Sequence, residues 1–215
     1  MRTMTKSLAG STGRSGMSAA ALVTFASAIV ALIVLALSGS AAHSAERHNG
    51  KTVDLDGKTL LKVDKDTAAA LSDAGVKVKA VGAAEGPTTK RPYTFTFPIV
   101  GGKVDRHPLS GKIVHSGGLS FSANSEKVVV KRFVIDLKRG VLTAKVAGTG
   151  QRIALLRLGA PEGVKVNSDR IVLRGVDAML TYKAATALNG ALDTDLFAGG
   201  LLIGEATVKA KIDND

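Results

Sequence analysis

The chain has 215 residues, 45% of them hydrophobic, with no cysteine, no tryptophan and 4% aromatic residues. That length suits one domain with a real core once a leader is set aside, and the absence of cysteine excludes disulfides, thiolate metal sites, cysteine nucleophiles and a lipidated N-terminal cysteine. The formal charge is +11; without Arg2, Lys6 and Arg14, which precede the apolar run, 26 basic residues still face 18 acidic ones, a surplus of +8. Such a surplus attracts polyanions. The lysines are spread along strands and loops, however, and aromatic stacking platforms are scarce, so no nucleic-acid partner is expected and an anionic cell envelope is the expected counterpart.

The first segment carries only positive charge, Ala19 to Leu37 holds no ionisable residue, and Ser38 to Ala45 is rich in small residues. This order is that of a secretory signal. Ser40 and Ala42 suit cleavage after Ala42, while the apolar run approaches the ~20 residues that cross a bilayer, so an uncleaved anchor also fits. Residues 1–45 are therefore expected to be a signal peptide or N-terminal membrane anchor, the only segment in contact with a membrane. Residues 52–212 are expected to form a single β-rich domain outside the cytoplasm, secreted or at the cell surface.

Along that domain, Thr59 to Val63 alternates as a strand, and Asp64 to Gly75 reads as a short helix with Asp64 or Asp66 as N-cap and Gly75 as its stop. Val76 to Val81 returns to a period of two, Gly82 to Pro92 is turn-rich, and Tyr93 to Phe97 alternates strictly. From Pro98 to Val146 the pattern predicts an antiparallel meander with strands at Gly111–His115, Lys127–Leu137 and Val141–Val146. Its turns are expected at His115–Phe121 and at Lys138–Gly140, where glycine can take the positive φ of a hairpin. Further strands are expected at Gln151–Leu158, Arg170–Arg174 and Leu201–Ile212, with a second helix ending at Gly190. The fold class is thus mainly β, an antiparallel sheet or sandwich-like domain with two short helices.

No assembled reaction centre emerges, so a non-enzymatic protein without catalytic or metal-ligating residues is expected. Ala45 to Thr52 lacks the first glycine of a phosphate loop and the strand that should precede it. Asp54-Leu55-Asp56-Gly57 and Asp193-Thr194-Asp195 resemble calcium-loop fragments without the closing glutamate, and turn-forming aspartates explain them more simply. His107 and His115 lack the spacing of a zinc pair. Ser116, His115 and Asp136 make a triad by residue type only, without a strand-to-helix elbow. His115 beside Ser116-Gly117-Gly118 has two readings: an imidazole touching a flat ligand where missing side chains permit close approach, or a strand-end histidine held by a local carbonyl.

Three stretches carry a resemblance. Gly111-Lys112-Ile113-Val114-His115-Ser116-Gly117-Gly118-Leu119 is similar to the Gly-x-x-x-x-Gly-His-x-Gly-x-Leu region of HtaA-type domains, found in secreted and cell-wall haem-uptake proteins of actinobacteria. Gly140 to Val146, and Gly175 to Thr181 running into an alanine-rich helix, resemble the same family. The resemblance implies haem binding, with a tyrosine on an early helix ligating the iron and a meander histidine bonded to its phenol. His115 takes that histidine's place. The early helix, Thr67 to Gly75, contains no tyrosine, which leaves Tyr93 and Tyr182. The ligand-binding residues expected are therefore His115, Gly117, Gly118, Tyr182 and Tyr93. The other reading is a structural or adhesive envelope protein that holds anionic cell-wall polymer through its lysines and takes no small molecule.

Overall fold

The computed structural model describes residues 54–106 and 108–213. The expected leader, its cleavage sites, the Ala45–Thr52 stretch and His107 lie outside the described residues. In chain order the elements are β1 (Asp54–Val63), α1 (Lys65–Asp73), β2 (Lys77–Val81), β3 (Thr94–Arg106), β4 (Leu109–His115), β5 (Gly118–Ala123) and β6 (Glu126–Asp136). They continue with β7 (Val141–Val146), β8 (Arg152–Leu158), β9 (Gly163–Val166), β10 (Arg170–Leu180), α2 (Tyr182–Leu192) and β11 (Leu202–Asp213).

All strand pairings are antiparallel, and the sheet closes. The path β6-β4-β3-β1-β11-β10-β8-β7 returns to its start through the β6–β7 pairing, giving an eight-strand barrel. Period-two patterning sets its inside: along β1, Leu55, Thr59 and Leu61 are buried while Asp56, Lys58 and Lys62 are exposed. An eight-strand barrel has an interior that side chains just fill. Ile113, Ile171, Val208 and Ala210 are almost fully buried there, and Phe97 and Phe133 meet edge to face at 5.1 Å.

One long strand is broken where a turn was expected. β4 and β5 lie in succession along the same edge of β6, with Lys112 opposite Asp136 and then Gly118 opposite Lys131. Between them Gly117 takes φ 78, and across from it Arg132 takes φ 55 as the bulge that absorbs the change of register. Before the break the strand's other neighbour is β3; after it, the neighbour is β2. β2, β5 and the first half of β6 thus form a flap outside the barrel ring. The actual hairpin turn is Asn124-Ser125, both left-handed at φ 50 and 67, as a two-residue turn between twisted strands requires.

The helices sit at the barrel end next to this flap. Asp64 caps α1 by accepting from the Asp66 and Thr67 amides, and the Thr67 amide above all holds its carboxyl below the ordinary range. α1 ends as expected at Gly75 (φ 69), with Gly75 N–H bonded to Ser72 O and Val76 N–H to Leu71 O, a Schellman closure. α2 differs from the expectation: Thr181 caps its start, and it runs through Gly190 to a left-handed Asp193 (φ 49, ψ 60). Met179 and Leu180 belong to β10, which passes the predicted end at Arg174 by way of a bulge at Gly175 (φ 62). Asp54 to Gly57 likewise open β1 and are not a turn.

Candidate ligand cavity

The closed barrel has no room for a ligand, but the space between its end, the helices and the flap does. A cavity of about 340 Å³ lies there. The barrel rim contributes Leu61, Val63, Phe95, Leu155, Leu156 and Leu180; the flap contributes Val76, Val78, Leu119 and Phe121; Leu188 of α2, Phe197 and Ile203 complete an almost wholly apolar lining. α1 turns Ala68, Leu71, Ser72 and Gly75 to the same space. Ala68 and Leu71 stay only half-buried because they border a cavity and not a packed core. The volume falls within the ~300–1,000 Å³ typical of small-molecule sites.

Two devices position the wall. Asn189 of α2 clamps the backbone of Phe197 from both sides, donating Nδ2–H to its carbonyl (2.8 Å) and accepting its amide at Oδ1 (2.9 Å). That places the Phe197 ring edge to face with Phe121 at 6.4 Å. At the flap tip Asn124 Nδ2 donates to the carbonyls of Leu192 (3.2 Å) and Asp193 (2.8 Å), tying the hairpin to the end of α2.

The polar groups on the cavity are few: Ser72, Lys77 and Tyr93. Tyr93 is 45% exposed and holds a left-handed backbone, φ 63, unusual for a bulky residue. Its carbonyl accepts the Val63 amide at 2.7 Å, which fixes it beside the end of β1. Strain of this kind persists only where surrounding structure enforces it, and it gathers at binding sites.

The other expected residues are placed elsewhere. His115, at the end of β4, is 2% exposed inside the barrel, and its Nε2 meets Thr59 Oγ1 at 2.8 Å. Burial pushes its pKa down to about 4, partly offset by the Phe133 backbone, so the ring is neutral at pH 7. Nδ1 is nevertheless without a partner in hydrogen-bond geometry, and the contact with the Phe133 backbone is at most a weak one. His115 does not line the cavity. A Cβ on Gly117 would strike the Ala84 backbone and one on Gly118 the Val130 carbonyl, so both glycines permit strands to approach. Tyr182 is 77% exposed at the start of α2, its ring lying on Gly199 and outside the cavity lining.

The structure thus brings Tyr93 together with Lys77, Phe121 and Phe197, of which the sequence singled out only Tyr93. The alternation of Leu119 and Phe121 on one strand face was the available signal for the flap wall. Phe197 carried none, since it lies in an irregular segment placed by a side chain.

No family model matches the sequence, and no curated protein matches it. Solved structures do. The C-terminal domain of HtaA from Corynebacterium glutamicum is similar with a TM-score of 0.57 at 14% identity, over 75% of this chain and 99% of that one. The N-terminal domain of HtaA from the same organism gives 0.54 at 14% identity, over 77% and 100%. The heme binding protein HtaB of that organism gives 0.50 at 11% identity, over 75% and 95%. At these identities the likeness is one of architecture, and the described domain has the HtaA-type fold.

Proposed function

We propose that this domain is a non-enzymatic binding module, working outside the cytoplasm, that holds a planar and largely apolar ligand of the haem class in the cavity between α1, α2 and the flap. The observation that carries the reading is an apolar cavity of about 340 Å³ at the helix-bearing end of an HtaA-type barrel, together with a structural neighbour described as a heme binding protein. The lining fits the faces of a porphyrin. It does not reproduce the ligand pair implied by the resemblance, because α1 offers Ala68, Leu71, Ser72 and Gly75, and His115 is engaged with Thr59. Among the lining residues Tyr93 is the one phenol that would hold ferric iron, and Lys77 is the cation that would meet a carboxylate at the rim. When bound, haem would supply the iron; the chain itself supplies apolar enclosure, a phenol and a counter-charge.

The test is titration with haemin and, separately, with metal-free protoporphyrin. Both should bind, and Tyr93→Phe should alter the haemin Soret band while leaving protoporphyrin affinity within about threefold, less than the tenfold that 1.4 kcal/mol represents. Absence of a spectral change with either ring would overturn the reading. A Soret band indifferent to Tyr93→Phe would remove Tyr93 as the ligand.

A further inference from the structure

On the outside of the barrel, toward the end away from the cavity, β1, β10 and β11 form a groove of about 590 Å³. Lys58, Lys209, Lys211, Arg170 and Arg174 line it, with Asp56 as the one acid among the lining residues. Strand register assembles the cluster. Lys58 stands opposite Lys209, and Lys211 stands opposite both Asp56 and Arg170. Val172 stands opposite Lys209 on one side and Lys165 of β9 on the other, so the cationic row crosses four strands. Directly opposed residues lie with Cβ atoms ~4.5–5.5 Å apart, and like charges so placed destabilise a sheet. On the same strands nearer the cavity, acids return: Lys62 faces Glu205, and Glu205 faces Asp177. Val172 points outward yet is only 9% exposed, as expected where the stems of flanking cations lie across it and carry their charges to the margins.

Another cationic row, Lys131 opposite Lys145 and Lys145 opposite Arg152, is built differently. There Arg152 donates to the carbonyls of Arg132 (3.0 Å) and Thr143 (3.3 Å) and to the Thr143 hydroxyl (3.0 Å), so its guanidinium serves the barrel's own seam.

We propose that the Lys58–Lys209–Arg170 groove is a binding face for a linear acidic polysaccharide. The charges are spaced along and across strands and do not converge on one point, which suits a repeating polyanion better than a single small anion. The groove offers no aromatic residue for base stacking, which argues against single-stranded nucleic acid. A domain expected to be exported meets acidic glycans first. Lys58 is five residues along β1 from Val63 at the cavity, roughly 17 Å at the rise of a strand, so polymer and cavity ligand can be held together.

Polygalacturonate binding to the full chain, measured calorimetrically between about 50 and 200 mM salt, tests this. Lys209→Ser with Arg170→Ser should weaken binding at least about tenfold and lower the salt slope by roughly one, whereas Lys131→Ser with Lys145→Ser, equal in charge, should change affinity less than about twofold. The separate pair Lys58→Ser and Lys211→Ser should repeat the loss, and neither groove pair should lower the melting temperature, since each relieves like-charge opposition. Equal losses from groove and control pairs would overturn the site. Duplex DNA bound more tightly than polygalacturonate would overturn the ligand class, and no binding by the unaltered chain would overturn both.

Discussion

Replacing His115 with glutamine should remove much of the acid sensitivity of the fold between pH 6.5 and about 4. The imidazole is 2% exposed, and burial holds its folded-state pKa down to about 4, against 6.5 for the free group. Between those values the unfolded chain binds a proton that the folded chain does not. Stability from the neutral ring is therefore fully present above pH 6.5 and is lost as pH falls toward the folded value. The gap corresponds to about 3 kcal/mol in full, with about 2 kcal/mol gone by pH 5. Glutamine can still bond to Thr59 Oγ1 but does not titrate. Urea unfolding followed by circular dichroism at about pH 7.5, 6 and 5 should show the wild-type advantage over His115→Gln shrinking by about 2 kcal/mol across the series. Carboxylates that titrate in the same window are common to both proteins and cancel. A difference that stays constant down to about pH 4.5 would refute the reasoning, because it would mean that the ring is reached by solvent or already charged in the fold.

Two glycines should respond in opposite ways. Gly118→Ala places a methyl against the Val130 carbonyl inside the flap pairing and should cost about 3 kcal/mol, whereas Gly190→Ala meets nothing within 4 Å inside α2 and should gain roughly 0.5–1 kcal/mol, both read from denaturant midpoints. Ala68→Phe projects a ring from half-buried α1 into the cavity; it should leave the melting temperature equal or higher while reducing protoporphyrin affinity at least about tenfold, and unchanged affinity would place the ligand elsewhere.

Most strands were legible because one face of each is buried. Tyr93 to Phe97, the second meander strand and the last strand all alternate, and alternation is what a half-buried sheet imposes. α1 was legible down to its caps, since Asp64 and Gly75 each have a local chemical role. The misreadings share a physical origin, namely glycine used for close approach. Gly117 and Gly118 looked like a turn, yet they let one strand bend and two backbones meet, while the true turn used Asn124-Ser125 without any glycine. Gly190 looked like a helix stop but lies inside α2, and the left-handed residue that ends it is Asp193. Closure into a barrel was not legible at all. It depends on β6 pairing with β7 on one edge and with β4 and β5 in succession on the other, and no local pattern encodes which edges remain free.

The same break explains why the cavity lies where it does. Had β4 continued straight past His115, β5 would have lengthened the barrel wall, and the apolar face of Leu119 and Phe121 would have joined the filled interior. The Ser116–Gly117 step, anchored by Ser116 N–H to Pro98 O (3.0 Å) and by Arg132 N–H to Gly117 O (3.0 Å), instead carries that face beyond the barrel ring. It then needs a cover, and α1, α2 and Phe197 supply one, leaving the cavity between them. The motif that first drew attention, His115 to Leu119, thus joins two environments within five residues. Its histidine is locked into the packed barrel by Thr59, and its leucine opens onto the ligand space. A change at His115 can therefore reach the cavity without touching it, by loosening the end of β4 from which the flap departs.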